Sequence, residues 1–185
     1  MPIIAALVSS GFIQPALAVD RIWFGGAGDW GVDTNWSPTG VPGISDKAII
    51  NSGNSTLSFN TGITGLDLSS GAVSGTGNLT LSGLSNWTGG SITGGRTVNA
   101  GDTTWSGNTG ANNNDLFLSD GTFNNTGTFT DTNAFNDRMV SVGTFNNSGT
   151  YNKQTDILTT IGGVLPSITP ARSTSRREYS MWQTL

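Results

Sequence analysis

Chemistry in this sequence would have to come from carboxylates. The chain carries eleven Asp and a single Glu (Glu178), against eight Lys and Arg, and it contains neither His nor Cys. Those absences remove thiol nucleophiles, Ser-His-Asp triads, His or Cys zinc sites, disulfides and haem ligation. What remains is a pair of carboxylates of the kind glycan-cleaving enzymes use, and such a pair must lie about 5–10 Å apart. Asp102, Asp115, Asp120, Asp131 and Asp137 are the candidates, with Arg96 or Arg138 as a cation. No D-x-D or D-D pair occurs among them, and their turn-rich surroundings suit strand ends. Two segments offer oxygen ligands to calcium. Gly25 to Asp33 (GGAGDWGVD) approaches the G-G-x-G-x-D repeat with its Asp one position early and no tandem copy, and Asn112 to Asp115 reads NNND. A turn is the plainer reading of both. No catalytic, cofactor-binding or metal-binding residue is therefore assigned, and the expectation is a protein that is not an enzyme.

The scaffold that would position any of these residues is constrained by composition. Of 185 residues, 92 are Gly, Ser, Thr or Asn, and only 11 % are charged, where about 25 % is usual for soluble domains. A helical bundle is excluded. From Asp20 to Leu165, eleven Asp face five cations (Arg21, Lys47, Arg96, Arg138 and Lys153). An acidic body without a basic stripe is a poor match to a phosphate backbone, so no nucleic-acid partner is expected.

Past Trp23 the chain alternates short β-type runs with Gly, Asn, Ser or Asp. Lys47-Ala48-Ile49-Ile50, Asn78-Leu79-Thr80-Leu81-Ser82, Thr97-Val98-Asn99, Leu116-Phe117-Leu118 and Met139-Val140-Ser141-Val142 are examples. Several alternate apolar with small polar residues, the mark of a strand with one buried face. An internal repeat then decides the architecture. Gly121-Thr122-Phe123-Asn124-Asn125-Thr126-Gly127-Thr128-Phe129 returns, without a gap, as Gly143-Thr144-Phe145-Asn146-Asn147-Ser148-Gly149-Thr150-Tyr151. Weaker relatives begin at Trp105 and at Asn86-Trp87. An offset such as that from Gly121 to Gly143 marks stacked windings, each too small to bury its own apolar face. With short strands and no helices, the fold class expected is an all-β parallel β-helix, the alternative being an antiparallel β-sandwich. In the β-helix, Phe123 stacks on Phe145, Phe129 on Tyr151, and Asn125 on Asn147, while Gly127 and Gly149 supply positive φ at corners.

Residues 23 to 50 read WFGGAGDWGVDTNWSPTGVPGISDKAII. Three indoles this close together cannot all stay exposed, so Trp23, Trp30 and Trp36 are expected to cover the open end of the stack. The pattern W-x-G-x-x-x-x-W through N-W-S-x-x-x-V-P-G-x-x-D-x-A-x-I, with S-N-W-T-G-G-S-I-T-G-G and the paired G-T-F-N-N-[TS]-G-T further on, resembles bacterial secreted β-strand-repeat surface proteins. These include autotransporter passengers and filamentous-haemagglutinin-like adhesins, among them exported relatives that bear a sorting signal. The resemblance covers about residues 20 to 160. It implies a right-handed parallel β-helix displayed outside the cell, a structural or adhesin-like role, and extracellular or cell-surface glycans and neighbouring coils as partners. It supplies no catalytic residue. The runner-up function is a carbohydrate-active lyase or hydrolase built on the same fold.

The segment Met1 to Ala18 (MPIIAALVSSGFIQPALA) is apolar and ends in a small-x-small triplet before Asp20 and Arg21. It fits a secretory signal peptide cut after Ala18, leaving Val19 first. The expected organisation is residues 1–18 signal peptide, 19–50 Trp-rich cap, 51–163 β-solenoid coils and 164–185 an atypical basic tail. After Gly163 the sequence loses Gly and Asn and gathers three of its eight cations. This reads as a polar tail, or as a truncated or frame-shifted end in place of the next coil. The family's outer-membrane translocator or sorting signal is not expected in this chain.

Overall fold

Alternation of apolar and small polar residues, cut every few positions by Gly or Asn, dictates strands too short to pair with themselves. A computed structural model describes residues 17–106, 116–118, 121–133, 137–140, 143–155 and 159–161, of which 116–118, 137–140 and 159–161 are described as backbone strands. Strands of two to four residues follow one another along the chain. The first are β1 (Asp20–Trp23), β2 (Ala27–Asp29), β3 (Trp36–Ser37), β4 (Lys47–Ile50), β5 (Asn54–Thr56), β6 (Thr61–Ile63) and β7 (Gly65–Leu68). Next come β8 (Ala72–Ser74), β9 (Leu79–Leu81), β10 (Ser85–Trp87), β11 (Ser91–Ile92), β12 (Thr97–Ala100), β13 (Thr103–Trp105) and β14 (Leu116–Leu118). The series ends with β15 (Thr122–Asn125), β16 (Thr128–Asp131), β17 (Asp137–Val140), β18 (Thr144–Asn147), β19 (Thr150–Lys153) and β20 (Thr159–Ile161). Among the described residues the one helical element is a three-residue 3-10 turn, Asp33–Asn35.

From β4 onward each third strand returns to the same sheet, one place further along and parallel. Sheet 1 runs β3-β1-β4-β7-β10-β13-β16-β19, sheet 2 runs β2-β5-β8-β11-β14-β17-β20, and sheet 3 runs β6-β9-β12-β15-β18. This is a parallel β-helix with three faces. Every described strand pair is parallel except β1 with β3, which overturns the antiparallel sandwich. The windings are unequal in length. In sheet 1 Lys47 registers with Gly65, Asp67 with Asn86, Thr103 with Phe129 and Phe129 with Tyr151, so the winding that leaves Thr103 is the longest of the four and the one that leaves Lys47 the shortest.

Register stacks the inward side chains into columns. In sheet 1 one column passes from Ile50 through Leu68, Trp87 and Trp105 to Asp131 and Lys153. In sheet 3, Leu79, Val98, Phe123 and Phe145 form one column, and Ile63, Leu81, Ala100, Asn125 and Asn147 another. Phe123 and Phe145 stack with centroids 5.6 Å apart, as do Phe129 and Tyr151, with planes 13° and 7° from parallel. Asn125 Nδ2 donates to Asn147 Oδ1 at 2.7 Å. The three contacts expected of the twin repeat are therefore formed.

Two related expectations are corrected. Gly127 and Gly149 do not adopt positive φ. They are required because successive windings touch there: a Cβ at Gly149 would fall on the Gly127 carbonyl oxygen, and one at Gly127 would lie 2.6 Å from Asp102 Oδ1. The Trp segments at 87 and 105 are not earlier copies of the Phe123 segment either. Trp87 and Trp105 pair with each other in sheet 1, while Phe123 lies in sheet 3 and meets Trp87 across the interior at 6.3 Å.

The Trp cluster sits at the N-terminal end. Trp23, Trp30 and Trp36 are buried, and Trp36 meets the other two edge to face, at 5.0 Å and 4.7 Å. Trp36 Nε1 donates to the Trp30 carbonyl and Trp23 Nε1 to that of Gly26. Strand β3 pairs antiparallel with β1, so the outermost strand of sheet 1 reverses the parallel template, one way of blunting an exposed edge. The spacing of the opening motif has a steric cause. Asn35 Nδ2 donates to the Asp29 carbonyl at 2.8 Å, and its side chain leaves no room for a Cβ at Gly25.

Candidate functional site

The period-2 rule that turns Phe123 and Phe145 inward turns their neighbours outward. Register then aligns Thr97 with Thr122 and Thr144, and Asn99 with Asn124 and Asn146, on the outer face of sheet 3. Asn124 Nδ2 donates to Asn99 Oδ1 at 2.8 Å, and Asn146 Nδ2 to Asn124 Oδ1 at 2.9 Å. The result is a grid of hydroxyls and amides, spaced about 4.8 Å across strands and about 6.6 Å along them. The grid continues toward the N-terminus through Asn78 and Thr80. There Asn60 Oδ1 accepts the Asn78 amide and Asn78 Oδ1 accepts that of Thr97, both at 2.9 Å. None of these residues is charged. Because each ladder amide is held by its neighbours, little side-chain freedom is left to lose when a ligand docks.

The outer face of sheet 1 is also polar in its middle, but its charges are consumed. Lys47 Nζ meets Asp67 Oδ1 at 2.9 Å, and Asn86 Nδ2 donates to the same oxygen at 2.8 Å. Thr104, Thr130 and Asn152 extend this row by register.

The candidate carboxylates do not converge where they are described. Asp131 is an interior residue with no exposed surface, bound by Lys153 Nζ at 2.9 Å, Tyr151 Oη at 2.6 Å and both the backbone and side-chain nitrogens of Asn133 at 3.0 Å. Asp102 is exposed in the turn before β13 and accepts the Thr128 amide at 2.8 Å. Asp131 is enclosed in the interior, whereas Asp102 is open to solvent. Arg96 is buried at the corner before β12, where Nη2 and Nε reach the carbonyls of Gly75 and Thr93 and no described carboxylate meets it. Burial pulls the pKa of its guanidinium down to about 10. The side chains of Asp115, Asp120, Asp137 and Arg138, and the Asn112 to Asp115 segment, lie outside the described residues. In the Gly25 to Asp33 segment Asp29 Oδ1 accepts the Gly31 amide at 2.7 Å, the Asx turn that the plainer reading required. A small space between the described windings is bounded by the apolar side chains of Leu66, Leu68, Leu81, Trp87, Ile92 and Phe123, with Ser85 and Thr103, and no carboxylate lines it.

Two arrangements escaped the sequence reading. The buried Asp131–Lys153 pair occupies a column that earlier windings fill with Trp87 and Trp105. Aligning the chain winding by winding, instead of at a fixed offset, exposes a charge in an apolar column. The second is the Asp46 cluster, whose only sequence signal is its place in the opening motif. Its carboxylate accepts Arg21 Nε at 2.9 Å and the amides of Val19 and Gly43 at 3.0 Å. Burial pushes its pKa up, but those donors outweigh it and hold the carboxyl below the usual range. Comparison with protein-family models, curated proteins and solved structures finds no match to this chain.

Proposed function

We propose that this chain is a non-enzymatic, extracellular structural segment of a bacterial surface or secreted protein, adhesin-like in holding a hydrated Thr and Asn face against glycans. The Asn99–Asn124–Asn146 ladder, flanked by Thr97, Thr122 and Thr144, carries the reading. Its mechanism is mechanical. Hydrogen bonds between windings make a stiff rod, and the sheet 3 grid offers donors and acceptors, already ordered, to sugar hydroxyls. The apolar opening segment and the repeat pattern are what support export to the cell surface. Glycan-array binding by the purified chain, run beside a depolymerisation assay on polyuronides, tests the proposal. Retention of glycans without cleavage, weakened by Thr122→Lys and by Asn124→Lys, is expected. Turnover abolished by Asp131→Ala or Asp137→Ala would overturn it in favour of a lyase or hydrolase, and retention of no glycan would overturn the adhesin-like role.

A further inference from the structure

The segment that leads into β1 ends against a carboxylate prepared for a positive charge. Asp46 is 7 % exposed. One oxygen, Oδ2, takes Arg21 Nε and the Gly43 amide, while Oδ1 faces the Val19 nitrogen at 3.0 Å. Val19 is itself fixed, since its carbonyl accepts the Lys47 amide at 3.1 Å. Arg21 is fixed too, because Nη1 reaches the carbonyls of Pro38 and Thr39. Immediately before Val19, Ala18 is exposed and Leu17 is 82 % exposed. An accessible bond thus adjoins a nitrogen whose acceptor is buried, charged and already in place.

We propose that the Ala18–Val19 bond is a proteolytic processing site and that the amino terminus it releases is latched ionically by Asp46, an inference that rests on the export reading above. In the hydrolysis, catalysed by an endopeptidase of the exporting host, the oxygen of one water ends on the Ala18 carboxylate and both its protons end on the Val19 nitrogen. The neutral amide donor becomes an α-ammonium at the same place. In the uncut chain Asp46 has one cation, Arg21; in the product it has two. The other charged groups close by are Asp20, exposed on β1, and Lys47, which is engaged by Asp67. The cut therefore ties β1 to the loop before β4 more tightly than the precursor does.

The test begins with the full chain expressed in an exporting bacterium and amino-terminal sequencing of the exported product. Val19 is the expected first residue. The product's α-amino pKa is then read from the pH dependence of its acylation rate. An acid dissociation constant at least about tenfold below that of an ordinary α-amino group, which titrates at about 7.7–8.0, is expected. The melting temperature of the product should fall on N-acetylation, and Asp46→Asn should remove that difference. Should Asp46→Asn fail to fold, acetylation alone still decides the matter. A product that starts at Val19 with an ordinary α-amino pKa, and that is indifferent to acetylation, overturns the latch and leaves export standing. A cut at another bond overturns the processing site. A chain that is never exported overturns both.

Discussion

Phe123 and Phe145 lie one winding apart with their rings 5.6 Å apart and only 13° from parallel, each also edge-on to Phe129. Phe123 is 1 % exposed and touches partners from three directions, so its loss leaves a space that no single neighbour can fill. Phe123→Ala should cost about 3–5 kcal/mol. Phe123→Tyr should cost about 1–3 kcal/mol through an unpaired buried hydroxyl. Urea denaturation of both variants against the parent checks the order. Equal midpoints for parent and Phe123→Ala would mean that the aromatic column does not hold the windings together.

Crowding and backbone torsion make different demands on glycine, and two positions separate them. Gly149 has an ordinary φ, but a Cβ there would meet the Gly127 carbonyl, and backbone cannot swing away as a side chain can. Gly26 has φ +60 and nothing within 4 Å of where a Cβ would stand. Gly26→Asn should therefore cost no more than about 1 kcal/mol, since Asn tolerates the left-handed region. Gly149→Ala should cost about 1–3 kcal/mol, as overpacking does. Thermal melts of the two variants give the comparison, and Gly149→Ala is expected to be the more harmful although its substitution is the smaller.

The Asp131–Lys153 pair is buried on both sides, with side-chain exposures of 0 % and 4 %. Removing Lys153 takes one donor from a fully buried carboxylate that Tyr151 and Asn133 also hold. Lys153→Met should destabilise by about 1–3 kcal/mol, and adding Asp131→Leu should recover little of that loss, because the Tyr151 hydroxyl and the Asn133 nitrogens then lose their buried acceptor. High salt should leave the loss caused by Lys153→Met nearly unchanged, because solvent ions do not screen an interior pair. A double-mutant cycle in urea, run at low and high salt, measures both expectations.

How much of this was legible in the sequence depended on whether windings were equal in length. The last two repeats keep a single offset throughout, so Phe123 over Phe145 and Asn125 over Asn147 could be read directly. Upstream the step is shorter, from Lys47 to Gly65 and from Asp67 to Asn86, and between Thr103 and Phe129 it is longer. A fixed offset there slides the Trp87 and Trp105 segments from sheet 1 onto sheet 3. The Thr and Asn grid was legible only as composition, because alternation says which residues face outward but not which share a column. The Asp46 cluster depends on contacts from Val19 and Arg21 that span the whole Trp-rich segment, and sequence periodicity carries no record of such loops.

Asp46 also sets a pH dependence whose sign can be worked out. Burial alone would raise its pKa, but the Gly43 and Val19 amides and Arg21 favour the charged form, and the balance lies below the ordinary carboxylate value of 3.8. A carboxylate with a lowered folded-state pKa binds fewer protons in the folded than in the unfolded chain. Its stabilisation is therefore complete above the unfolded value and is lost as pH falls from there through the folded value. Asp46→Asn should lower the melting temperature at pH 7, and the gap from the parent should narrow steadily as the pH is taken below about 4. Other carboxylates titrate in the same range, so the difference between parent and variant, not the parent's own acid transition, isolates this group. Melting curves from pH 7 to pH 2 on both proteins supply it, and a gap that stays constant across that range would mean that Asp46 carries no charge-dependent contact to the cap.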